Sequence, residues 1–126
     1  MLEACYTKFE GKIFHSACGD IDIDPAGKFI VLAGSSRTTK NIRVYVYDFE
    51  TEKITYSFVK EISPRSTLCS LGVDAVKMRA AAAWKDNIAV WEITTGKRIF
   101  SAECGGLFPK NLRFVHGREK LIALTY

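Results

Sequence analysis

The stretch Glu10–Gly19, "EGKIFHSACG", returns in altered form as Thr95–Gly106, "TGKRIFSAECGG". An intermediate counterpart, "TEKITYSF", stands at Thr51–Phe58. The outer copies lie about 85 residues apart, which is two periods of about 42. A chain of 126 residues with such a period is built from copies of one supersecondary unit, each burying its apolar face against the next.

Each copy reads as a set of short strands. Asp20-Ile21-Asp22-Ile23-Asp24 alternates with the period of a half-buried strand, placing Ile21 and Ile23 toward the core and the three carboxylates toward solvent. Pro25-Ala26-Gly27 supplies turn chemistry, and Phe29–Leu32 is an apolar run expected of a strand buried on both faces. After the polar stretch Gly34–Asn41, the β-branched and aromatic run Ile42–Phe49 turns at Thr51-Glu52-Lys53 into Ile54–Val59. The order repeats through Leu68–Val73, Ala80–Trp84, Ile88–Ile93 and Lys97–Ala102, with turns at "KDN" and Thr94-Thr95-Gly96. A third copy begins at Asn111–Val115, turns at His116-Gly117-Arg118 and continues through Leu121–Leu124. The segment "VDAVKMRAAAAWK" competes with this scheme, because alanine is the best helix former. Its place in the repeat favours a strand.

Four strands per unit at a period of 40–45 is the pattern of propeller blades. "IDIDPAGKFIVLAG", "IRVYVYDFETEKITYSF" and "IAVWEITTGKRIF" resemble the WD40-repeat family, with Tyr47-Asp48 and Trp91-Glu92 where that family has Trp-Asp. The resemblance implies an all-β fold of four-stranded antiparallel blades. It divides the chain into a blade end at 1–19, blades at 20–62 and 66–105, and a partial blade at 107–126. No Gly-His dipeptide precedes the blades and neither Trp-Asp pair is intact, so the family's buried polar network is incomplete; Asp86 is the candidate for its aspartate. Closed propellers have 4–8 blades, and about three fit here. The chain is therefore expected to be a piece of a longer protein, or to have its ring completed by a partner or by homo-oligomerisation through open strand edges.

Composition narrows the function classes. With 48% hydrophobic residues the chain can build a core, and a net charge of +4 permits contact with an acidic partner or phosphate backbone without arguing for one. The four cysteines are widely spaced with no C-x-x-C pair, which points away from a zinc ribbon or a thioredoxin-type motif and toward reduced thiols in an intracellular setting, cytoplasmic or nuclear. No apolar run approaches a membrane span. Asp20, Asp22 and Asp24 lack the glycine and glutamate that a calcium loop requires. "GSSRTTK" lacks the second glycine of a phosphate loop, and no G-x-S-x-G elbow marks a serine nucleophile. His15 and His116 are too few for a multi-histidine metal centre.

No catalytic, cofactor or metal site is therefore expected. The resemblance implies a non-catalytic protein–protein interaction scaffold within a multi-protein complex, with partner contacts through exposed loops: Arg37 and Lys40, Lys60 and Arg65, and His116, Arg118 and Lys120. The alternative is an RNA-associated accessory subunit using the same basic rim. Ser63-Pro64 has the form of a proline-directed phosphorylation site.

Overall fold

The computed structural model describes residues 19–35, 41–61, 68–85, 87–106 and 109–125. Every regular element among them is a strand. Strands β1 (Gly19–Ile23), β2 (Phe29–Ser35), β3 (Asn41–Asp48) and β4 (Lys53–Glu61) form one antiparallel sheet in chain order. Strands β5 (Leu68–Asp74), β6 (Arg79–Trp84), β7 (Asn87–Glu92) and β8 (Arg98–Glu103) form a second with the same topology. Strands β9 (Pro109–Val115) and β10 (Lys120–Thr125) pair as a third. The sequence expectation holds within two residues at most strand ends. The expected partial blade ahead of Gly19 lies outside the described residues.

The alanine-rich segment is a strand, because small side chains serve both of its faces. Ala80 and Ala82 belong to the core shared with the first sheet, and Ala81 and Ala83 to the core shared with the third. All four are buried. Burial on both faces outweighs helix propensity, which is a weak prior beside tertiary packing. Gly72 reports the same closeness: a Cβ there would lie 3.3 Å from the Leu112 carbonyl oxygen on β9.

Two seams hold the sheets together. Val31, Ala33, Val44 and Val46 of the first sheet pack with Leu71, Val73, Ala89 and Trp91 of the second. Ala81, Ala83, Ile88 and Val90 of the second pack with Leu112 of the third, flanked by Phe114 and Leu121. The outermost strands β4 and β8 are mostly exposed, and their aromatics Tyr56 and Phe100 stand about half in solvent rather than in the core.

The first strand reverses the expected polarity. Ile21 and Ile23 are 45% and 54% exposed, whereas Asp20 and Asp22 turn inward against β5. The reason lies in the sheet edges. β1, β5 and β9 each begin a sheet, so one edge of each has no strand beside it among the described residues. Edge amides need acceptors. The Val73 amide donates to Asp20 Oδ2 at 2.9 Å and the Ala75 amide donates to Asp22 Oδ2 at 2.7 Å. At the next seam the Leu112 amide donates to Ser70 Oγ at 3.2 Å. Side chains on one innermost strand thus serve the edge of the next.

Candidate functional site

The first hairpins of the three sheets bring their turns to one rim, and a polar cluster joins them. Asp74, at the end of β5, is fully buried. Its Oδ1 accepts the Val76 amide at 2.9 Å, and its Oδ2 accepts Arg79 Nη2 at 2.7 Å. Burial pushes the Asp74 carboxyl up, but the Arg79 hydrogen bond, the Val76 and Lys77 amides and the Arg79 charge together hold it below its ordinary value. Arg79 reaches on across the seam. It donates to Glu119 Oε2 at 3.2 Å and to the Arg118 carbonyl at 2.9 Å, and its guanidinium lies 4.7 Å from the Phe114 ring centroid. Lys77 Nζ donates to Glu119 Oε1 at 2.6 Å, and this bond with its charge keeps the Glu119 carboxyl below its ordinary value.

A second group lies beside it. His116 Nε2 is 3.1 Å from Asp22 Oδ2, and Arg113 Nη1 is 3.7 Å from Asp20 Oδ1. Burial raises the Asp20 carboxyl above its ordinary value, against the Val73 and Ile21 amides and the Arg113 charge. One ligand atom each from Asp22, Asp74 and His116 falls within a 4.8 Å group. The donor set suits a cation poorly, because Asp74 already neutralises a guanidinium and Asp22 already serves the Ala75 amide. The cluster is a tie between blades.

The expected contact residues divide in three ways. Arg37, Lys40 and Arg65 lie outside the described residues, as do Asp86, His15 and Ser63-Pro64. Lys60 stands 5.8 Å over the Phe58 ring, in a notch of about 450 Å³ that Trp84, Trp91 and Lys97 also line. His116, Arg118 and Lys120 are gathered on the exposed β9–β10 turn and the first residue of β10. Of these, His116 is engaged with Asp22, and the Arg118 carbonyl with Arg79. Sequence reading missed Asp74, Arg79 and Glu119. The one available signal was an aspartate and an arginine closing either side of a hairpin.

Between the second and third sheets lies an open groove of about 440 Å³, with Val90, Phe100, Phe114 and Leu121 in its walls and Arg79 and Lys120 at its polar end. Cys104 is a free thiol. Among the described residues, no helix is long and apolar enough to cross a membrane.

The repeated four-stranded sheet, laid seam to seam with its first strand innermost, is matched among solved structures. The β-propeller domain of Cps50 (Swd1) from Myceliophteria thermophila superimposes with a TM-score of 0.64 over 83% of this chain at 14% identity. This chain has the β-propeller fold. It spans 36% of the length of that neighbour. No family model matches the sequence, and no curated protein matches it. Tyr47-Asp48 and Trp91-Glu92, which stand where the sequence resemblance expects Trp-Asp, depart from that pattern as well.

Proposed function

We propose that this chain is a non-catalytic protein–protein interaction scaffold, a WD40-like propeller segment working inside the cell as part of a multi-protein complex. The observation that carries this reading is the division of labour on the rim. Asp74 orients Arg79, and Arg79, Lys77 and Glu119 join the blades, while Arg118 and Lys120 present charged side chains beside them. A surface of that kind suits docking by charge complementarity. The proposed contacts also include Arg37, Lys40, Lys60 and Arg65, which the sequence reading assigns to exposed loops.

The test is the Arg118→Glu, Lys120→Glu double variant. Quantitative affinity capture from the native cell should show wild-type chain retaining a defined set of proteins that the variant loses, with the thermal melt unchanged. Equal retention by both would remove this turn from the surface. Retention of RNA alone, falling steeply with salt, would replace the scaffold by the RNA-associated reading.

A further inference from the structure

The outermost strands of the two complete sheets carry the same serine in two different settings. The registers set the correspondence. Val46 pairs with Tyr56 and Tyr47 with Ile54; Val90 pairs with Phe100 and Trp91 with Arg98, and both ladders shift at that step. Ser57, opposite Tyr45, therefore holds the place of Ser101, opposite Ala89. Lys53 likewise answers to Lys97, and Ile54 to Arg98. Both serines are exposed. They differ in what stands three residues ahead: isoleucine before Ser57, arginine before Ser101. Among the described serines and threonines, Ser101 alone has arginine at that spacing.

The setting of β8 makes that arginine and serine available together. Arg98, Ile99, Phe100 and Ser101 are exposed in succession. Among the described residues β7 is the only neighbour of β8, so one edge of this extended backbone is open to another protein. Strict alternation would point residues three apart to opposite faces. Here Ile99 is the extra residue of the ladder shift, and such a bulge re-aims the side chains beside it. Cross-strand partners share a face. Trp91 and Ala89 both belong to the core between the first and second sheets, so Arg98 and Ser101 stand on that one side of β8. Neither side chain is committed elsewhere: among the described residues Arg98 makes no ion pair, and the Ser101 hydroxyl makes no hydrogen bond.

We propose that Ser101 is a phosphorylation site for an arginine-directed protein kinase. Such an enzyme takes an extended segment and anchors the arginine on its own carboxylates, a bidentate pair that neither lysine nor isoleucine reproduces. Ser101 Oγ attacks the γ-phosphorus of ATP. The Oγ–P bond forms as the bond from that phosphorus to the β,γ-bridging oxygen breaks, the hydroxyl proton passes to the kinase's base, and ADP leaves. The phosphoryl group brings a charge of about −1.5 to −2 to the side of β8 that carries Arg98. Arg98, Lys60 and Lys97 line the notch between the first two sheets with Glu61 as the one carboxylate, so the modification offsets the notch's excess of positive charge. Phosphorylation thereby weakens the attraction of this notch for acidic groups.

The probe is the catalytic subunit of an arginine-directed kinase with ATP, applied to the folded chain well below its melting temperature and read by peptide mass mapping. Ser101 should take up one phosphoryl group, and Ser57 none. Arg98→Ala should slow incorporation by roughly 10-fold or more, the loss expected of one charge-assisted pair. Ile54→Arg should make Ser57 a substrate, because it sets Lys-Arg ahead of that serine on an equivalent exposed strand. Arg98 and Ile54 are both exposed, so each variant should melt with the wild type. No incorporation at Ser101, equal labelling of Ser57 in the wild type, or incorporation indifferent to Arg98→Ala would each overturn the proposal. So would a Ser57 that stays unmodified in Ile54→Arg, or labelling of Ser101 only after thermal unfolding. Failure of the β9–β10 turn to bind other proteins would leave it standing.

Discussion

Arg79 Nη2 lies 2.7 Å from Asp74 Oδ2, and both side chains are almost wholly removed from water. Two charges so placed are costly to desolvate, and further bonds satisfy all of their buried polar atoms except Arg79 Nε. Asp74 has its two turn amides; Arg79 has Glu119, the Arg118 carbonyl and the Phe114 face. Arg79, oriented by Asp74, therefore locks the second sheet to the third.

Removing one partner strands the other. Asp74→Ala leaves a buried guanidinium short of its counter-charge and should cost about 3–5 kcal/mol in urea unfolding. The Glu119→Gln change, on the exposed side of the same network, should cost far less, because solvent screens that pair. Equal effects would mean that the buried pair is not the lock.

Acid should act through the same residues. The Asp74 and Glu119 carboxyls sit below their ordinary values, so the stability they contribute is present above the unfolded-state value and is lost as pH falls through the folded one. Asp20 runs the other way: its carboxyl is raised, so ionisation opposes folding and the opposition lifts as pH falls. Asp20→Asn is thus expected to melt at or above the wild-type temperature at pH 7. Its advantage should fade toward pH 3, giving a steeper acid decline than wild type. A parallel pair of melting curves would contradict this.

Turn geometry offers a stabilising change. Glu52 and Gly96 occupy equivalent turns, with φ of 55° and 70°. Glycine adopts that backbone freely, and other residues pay about 1 kcal/mol for it. Glu52→Gly should raise the melting temperature by a few degrees, and Gly96→Ala should lower it. No change in either would mean that the turns relax.

Much of this fold is legible in the sequence because its signals are local. Period-two strands, Gly27 and the Lys-bearing turns place nearly every hairpin, and the repeat supplies their order. The facing of Asp20 and Ile21 is not local. Alternation specifies two faces without saying which meets protein, and here the neighbouring sheet's edge amides at Val73 and Ala75 decide it. The rim cluster was hidden for the same reason: Asp74, Arg79 and Glu119 meet only when two hairpins from different blades come together. Asp24 and Asp48 cap their own turns as Asp74 does, so an aspartate at a strand end looks alike whether or not it also holds an arginine.

The seating of neighbouring blades is tested most directly by residue-resolved amide hydrogen exchange on the wild-type chain. Val73 and Ala75 stand where β5 meets β1, donating to carboxylates from the neighbouring sheet. Their exchange should be slowed to the level of the ladder amides of β6 and β7. If these two amides exchange at the rate of an open edge while β6 and β7 remain protected, the sheets are not seated as neighbouring blades.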